Sequence, residues 1–223
     1  MPHQRWHDCW EAGRLGFHQL EINPQLMAHW AGLKIDLGAS VLVPLCGKSG
    51  DMLHLHGLGH QVVGVELSPV ACEAFFVENE LAFDREVAGA HVRYVGRESA
   101  EGLVVICGDY LKVTPELAGS FDAVYDRAAL IALDESMRAD YVAVTRALLN
   151  DGARGLLQCT EYPPKEKTGP PYSVAPDEVR ALYGADYDID FLQLDDISDM
   201  GKERWQLSWL KQHTIALKLR SST

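Results

Sequence analysis

Glu66 stands at the end of an apolar run, Val62-Val63-Gly64-Val65. It lies about 20 residues beyond a turn of small residues, Pro44-Leu45-Cys46-Gly47-Lys48-Ser49-Gly50. A carboxylate so placed can accept hydrogen bonds from two ribose hydroxyls. Gly47 and Gly50 would let backbone N–H groups come close to the same ligand. The alternative is an acid solvated at a strand end. Cys46-Gly47-Lys48-Ser49 lacks the earlier glycine of a triphosphate-binding loop, because position 42 is Leu. A G-x-G-x-x-G dinucleotide loop is also missing, since Pro44-Leu45-Cys46 fills its place. Fewer donors for a pyrophosphate suit a nucleoside carrying an amino-acid tail. A second group with chemical potential is aromatic. Trp6 and Trp10 share a helical face at i and i+4, and Phe17 follows. They either cover one side of a sheet or form a lid whose π faces attract a cation such as a sulfonium, by about 0.5–2 kcal/mol.

These residues need elements to hold them. The pattern predicts a helical segment over 1–30, a strand at 40–44, a helix from Met52 to Leu58 and a strand at 61–66. Ser68-Pro69 caps a helix running to about Glu80, with Val70, Ala74, Phe75, Val77 and Leu81 inward. Residues 84–102 are polar, with a short strand at Val92-Arg93-Tyr94-Val95. Strands follow at 103–107 and 121–125, a helix from Asp134 to Leu149, and a strand at 155–159. A Pro-rich loop precedes a short helix from Pro176. Two β runs, 188–194 and 207–219, lack a crossover helix and predict an antiparallel hairpin at the sheet edge. Alternating strands and helices predict an α/β fold. It is a Rossmann-like, seven-stranded, mostly parallel sheet with an antiparallel C-terminal strand pair, helices on both faces and an N-terminal helical cap. That strand pair points away from a dinucleotide-binding domain and toward S-adenosylmethionine-dependent methyltransferases. One domain is expected over 1–223: a cap or lid at 1–30, a cofactor-binding core at 38–160, and an acceptor-side loop and hairpin at 161–223.

A formal net charge of −12 argues against a nucleic-acid backbone or an anionic membrane as partner. No run of about 18 apolar residues predicts a membrane helix. Five dispersed cysteines without a C-x-x-C pair are those of reduced thiols in a cytoplasmic protein. His54 and His56 are two apart and do not share a helix face, so no metal is expected.

Four stretches resemble the thiopurine S-methyltransferase family almost end to end. They are Trp6-x-x-x-Trp10-x-x-Gly13-x-x-x-Phe17-His18-Gln19, Pro44-Leu45-Cys46-Gly47-Lys48, Gly64-Val65-Glu66 and Tyr125-Asp126-Arg127-x-Ala129-Leu130. Gly169-Pro170-Pro171-Tyr172 fits a late loop of the family. The resemblance implies S-adenosyl-L-methionine as co-substrate and a small thiol or thione as acceptor. It implies that Trp6, Trp10 and Phe17 close over the reactants, that Leu45 and Gly47 contact the cofactor, and that Glu66 holds its ribose. Gly108 and Asp109 would lie beside the adenine, and Arg127 beside the transferring methyl and the acceptor. A surface ion pair of Arg127 with Asp126 or Asp122 is the competing reading. His18 and Arg204 are further candidates to face the acceptor; a structural histidine and a solvated hairpin tip are their alternatives. The expected enzyme is a cytoplasmic monomer that methylates thiopurines, aromatic or heterocyclic thiols, and selenium or tellurium compounds. Halide or small-thiol methyltransferases share the architecture and compete with it. A non-catalytic nucleoside-binding module and a nicotinamide-dependent oxidoreductase are the readings from other classes.

Overall fold

Apolar runs too short to be helices build the centre of the molecule. A computed structural model describes residues 2–221. In it β1 (Ser40–Pro44), β2 (Gln61–Glu66), β5 (Leu103–Cys107), β6 (Phe121–Arg127) and β7 (Leu149–Glu161) lie parallel. Their side chains are buried on both faces, so helices must cover both. The remaining strands are β3 (Phe83–Ala88), β4 (His91–Gly96), β8 (Tyr187–Asp196) and β9 (Lys211–Leu219). The sheet order is β3-β4-β5-β2-β1-β6-β7-β9-β8. β1 therefore has β2 and β5 on one side and β6 and β7 on the other. This reversal opens a crevice at the carboxyl ends of β1 and β6, where such sheets hold ligands.

On one face lie α2 (Pro24–His29), α3 (Asp51–Gly57) and α4 (Pro69–Glu78), over a core of Leu26, Trp30, Met52, Phe75, Phe76 and Tyr94. The other face carries α5 (Pro115–Ala118), α6 (Glu135–Leu148) and α7 (Pro176–Tyr183), over Tyr110, Leu130, Tyr141, Leu148 and Tyr183. The helix starts follow the local sequence. Ser68 Oγ accepts from Ala71 N–H at 3.4 Å, with Pro69 in the first turn, and Asp134 accepts from Ser136 N–H at 3.1 Å. α1 (Pro2–Glu11) precedes this frame. Among the described residues no helix is long and apolar enough to cross a membrane.

Three expectations need correction. The sheet has nine strands in the described chain: the seven expected, the short strand expected at 92–95, which is β4 and joins the sheet, and β3 beyond it, which was not foreseen. β3 is antiparallel to β4, and β4 to β5. β3 escapes notice because Asp84, Arg85 and Glu86 stand in it with their side chains out, as charged edge strands do. The C-terminal pair is antiparallel as expected, but β9 also pairs with β7 and is interior. Only β8 forms that edge, and α8 (Ser198–Trp205) fills the charged stretch between the two strands. Finally, Val70 and Val77 are 46% and 59% exposed. Ala71, Cys72, Phe75 and Phe76 form the buried stripe of α4, and positions seven apart on the opposite side face solvent.

Gly64, in the middle of β2, is a packing requirement. A Cβ there would lie 2.5 Å from Cys46 Sγ and 2.8 Å from Met52 Cε. Gly64→Ala is expected to destabilise the fold by about 1–3 kcal/mol, the usual cost of overpacking. A shifted urea midpoint at unchanged m-value checks this.

Candidate active site

The loop after β1 and the tip of β2 are locked together. Leu45 and Gly47 take left-handed conformations, with φ of 48° and 56°. Cys46 N–H donates to Val65 O at 3.0 Å. Gly47 N–H donates to Glu66 Oε2 at 2.9 Å, and Ser68 N–H donates to Oε1 at 2.7 Å. The Gly47 N–H is thus committed to Glu66 rather than open to a ligand, which corrects the expectation for this turn. Gly50 sits at the start of α3, facing Ile22 and Leu20, off the cavity. Glu66 is buried, and burial pushes its pKa up to about 6; the Ser68 and Gly47 N–H groups hold it from rising further. Each carboxylate oxygen retains acceptor capacity for a hydroxyl.

A cavity of about 550 Å³ opens at this point. Leu45, Gly47, Glu66, Asp109 and Arg127 line it from the sheet side, and Trp6, Trp10, Phe17 and His18 from the N-terminal segment. The aromatic residues belong to neither sheet-face core. They pack on each other instead. Phe17 meets Trp6 edge-on at 5.3 Å and Trp10 at 5.4 Å, and Trp10 lies 6.5 Å from His18. Of the two open readings of the aromatics, burial against a sheet face is not what the structure shows; they border the cavity instead. A Cβ on Gly47 would come within 3.1 Å of Trp10 Cζ2. Gly47→Ala is expected to cost about 1–2 kcal/mol through its left-handed backbone and to displace Trp10. Urea unfolding and tryptophan fluorescence measure the two effects.

Arg127 projects into the same cavity and, among the described residues, makes no ion pair. Asp126 accepts from Tyr141 Oη at 2.6 Å and from the N–H groups of Ala129 and Leu130. Asp122 accepts from Ser40 N–H at 3.0 Å and Asn150 Nδ2 at 2.8 Å. With both acids engaged elsewhere, the surface ion pair is not formed. His18 is held below the usual imidazole range, by burial first and then by the Lys48 charge, so it is neutral at pH 7. Asp109 caps the turn at Tyr110–Lys112, accepting from Leu111 N–H at 3.1 Å.

Two expected residues lie elsewhere. Gly108 does not line the cavity; its N–H donates to Glu66 O at 2.9 Å, and His91 packs against its α-carbon. Arg204, on α8, donates to Gly16 O and lies over the Trp205 ring at 5.3 Å, away from the cavity. Further residues line the cavity: Asp51, Ser136 and Met137 had no site role from sequence alone, whereas Tyr125, Pro170 and Tyr172 stand in stretches that carry the family resemblance. Tyr125 Oη donates to Asp51 Oδ2 at 3.0 Å, while Asp51 Oδ1 accepts from Asn23 N–H at 2.8 Å. Ser136 and Met137 of α6 contribute, together with Pro170 and Tyr172 of the late loop. Tyr172 N–H is anchored to Ile131 O at 2.7 Å. Among the described residues no three His, Cys, Asp or Glu side chains gather as metal ligands.

The donor set fits a nucleoside that carries positive charge: a buried carboxylate for sugar hydroxyls, and aromatic rings lining the same cavity. The sequence profile of the family described as thiopurine S-methyltransferase (TPMT) matches residues 1–220. A protein of Pseudomonas fluorescens (strain Pf0-1) named thiopurine S-methyltransferase is 43% identical over 197 residues, covering 88% of each chain. One of the same name from Shewanella sp. (strain ANA-3) is 38% identical over 217 residues, 96% of this chain and 98% of its own. Among solved structures, a Burkholderia thailandensis 1,6-didemethyltoxoflavin-N1-methyltransferase with bound S-adenosylhomocysteine aligns at a TM-score of 0.63 and 15% identity. It covers 98% of this chain and 87% of its own. The glycopeptide N-methyltransferase MtfA complexed with S-adenosylmethionine aligns at 0.58 and 15%, over 91% and 96%. At such identities these structures speak for the fold. The relatives matched along the whole sequence go further: the activity is S-adenosylmethionine-dependent methyl transfer to sulfur, and the chain belongs to the thiopurine S-methyltransferase family.

Proposed function

We propose that the enzyme methylates the sulfur of thiopurines and of aromatic or heterocyclic thiols, with selenium and tellurium compounds as further acceptors, as a cytoplasmic monomer with a role in detoxification. The observation that carries this reading is an unpaired guanidinium, Arg127, sharing one aromatic-covered cavity with the buried Glu66. A π-faced, largely apolar cleft suits a flat heterocycle, and a free cation suits its sulfur in the anionic form. In this reading the chain is one domain, with 1–30 as lid, 38–160 as donor core and 161–223 on the acceptor side.

When bound, the donor supplies a methyl group already activated by the positive charge of its sulfonium. The protein's part is to bind, align and exclude water. Glu66 accepts from the ribose hydroxyls, and Leu45, Gly47 and Asp109 shape the nucleoside side, with Gly108 behind them holding the Glu66 backbone. Trp6 and Trp10 offer π faces to the positive charge. Phe17 and His18 border the acceptor, with neutral His18 free to accept a hydrogen bond. Arg127 stabilises the acceptor thiolate, the reactive form, and its guanidinium stays protonated and is no base. The acceptor sulfur forms a bond to the methyl carbon as the carbon–sulfonium bond breaks. The bonding pair stays on the departing thioether, and the thiol proton has already gone to water. Holding the three reacting atoms in line is worth about 7–11 kcal/mol in well-oriented intramolecular systems.

A panel of acceptors with methyl-labelled donor tests the proposal. We expect turnover of 6-mercaptopurine and thiophenol, and slower labelling of products from selenite and tellurite. Transfer to iodide with no transfer to any thiol would replace this reading with a halide methyltransferase.

A further inference from the structure

The chain carries many more acids than bases, so a cation without a partner stands out. Among the described residues every arginine except Arg5 and Arg127 donates a hydrogen bond or pairs with an acid. Both exceptions line the same cavity. Arg127 is already engaged in the reading above; Arg5, on α1, is not. A second cation, Lys167, stands at the edge of that cavity. Lys167 Nζ donates to Pro171 O at 3.0 Å, next to cavity-lining Pro170. It also lies 5.4 Å from the Trp205 ring and 5.9 Å from the Tyr162 ring. Burial lowers its pKa, and the Arg5 charge lowers it further, so the two cations feel each other. The adjacent acid, Glu166, is engaged by Ser208, whose N–H and Oγ each bond it at 2.7 Å. Among the described residues neither cation has an ion pair with an acid; two such cations repel, and a bound anion relieves that repulsion.

We infer that Arg5 and Lys167 form an anion-binding subsite at the rim of the cavity, which selects sulfur acceptors bearing a carboxylate. This rests on the sulfur-transfer reading and narrows its substrate class: aromatic or heterocyclic thiols with a carboxylate on the ring side away from the sulfur. The sulfur is directed inward to Arg127, while the carboxylate stays at the rim under α1. The donor's amino-acid tail also has a carboxylate, and it is the rival source of the anion.

Steady-state turnover of 4-mercaptobenzoate and of thiophenol, by wild type, Arg5→Gln, Lys167→Gln and Arg5→Lys, decides between them. The readout is kcat/KM for the charged acceptor divided by that for the neutral one. Comparing this ratio between variant and wild type cancels the intrinsic difference between the thiols. It is expected to fall about tenfold in each Gln variant, the scale of one charge-assisted hydrogen bond. Arg5→Lys should recover part of it. Added potassium chloride should lower the wild-type ratio more than that of the variants. Calorimetry with S-adenosylhomocysteine supplies the other arm. A ratio unchanged in both Gln variants overturns the subsite. So does a drop in S-adenosylhomocysteine affinity accompanied by equal losses for both thiols, which assigns the anion to the donor. Turnover of neither thiol by wild type overturns the sulfur-transfer reading itself, and the subsite with it.

Discussion

Glu66→Ala is expected to lower the affinity for S-adenosylhomocysteine by about 100-fold or more. Two hydrogen bonds to a charged acceptor, each worth about 1.5–3 kcal/mol, are lost at once. The Gly47 and Ser68 N–H groups that now bond the carboxylate would also lose their acceptor, loosening the turn against which Trp10 packs. Glu66→Gln separates these effects. It keeps the shape and one carbonyl oxygen, so it should hold the fold while still weakening donor binding. The pH dependence has a definite sign. The free protein's Glu66 protonates near pH 6, above the ordinary carboxylate range, because it is buried. The carboxylate is the form that accepts from both hydroxyls. Donor affinity should therefore be level above about pH 7 and fall as pH drops through about 6, with ligand binding releasing a proton there. Calorimetric titrations at several pH values in wild type and Glu66→Gln check it. The variant should lack the inflection.

Arg127→Ala is expected to cut kcat for thiol acceptors by about 100-fold, the loss of a charge-assisted interaction in a cavity sheltered from water. S-adenosylhomocysteine affinity should change far less. The deficit should be largest at low pH. There the acceptor is mostly protonated in solution, and only a nearby cation favours its thiolate. At a pH well above the acceptor's own pKa the thiolate forms unaided and the deficit narrows. Rate profiles with thiophenol, which ionises at lower pH than alkyl thiols, should show this narrowing earlier than profiles with an alkyl thiol. Unchanged turnover across the pH range would reject the role. The guanidinium suits the task because its two natural competitors, Asp126 and Asp122, are already engaged by Tyr141 and by Ser40 and Asn150.

The parts of the site legible in the sequence are those set by local pattern. The run ending at Glu66, the small-residue turn and the i, i+4 tryptophans each follow from short-range periodicity, and the structure brings them to one cavity. What stayed hidden depends on distant pairings. Tyr125 and Asp51 are 74 positions apart, and their hydrogen bond has no trace in either neighbourhood. Arg5, on α1, and Lys167, in the late loop, lie far apart in the sequence, so no local pattern links them. Arg204 shows the opposite limit: its place near the C-terminal strands was foreseen, but not the direction of its side chain, which runs to Gly16. The β3 strand was hidden by its own charges, since an edge strand facing solvent lacks the apolar alternation that marks one. The orientation of the Trp6, Trp10 and Phe17 cluster was open on residue pattern alone, because core packing and a lid use the same spacing.

The most direct test of the account is a single-turnover reaction with donor labelled at the methyl group and 6-mercaptopurine as acceptor, read by mass spectrometry of the product. The account predicts label on the purine sulfur, with one S-adenosylhomocysteine formed for each labelled molecule. Tight donor binding with no label on sulfur, for this acceptor and for thiophenol alike, would contradict it.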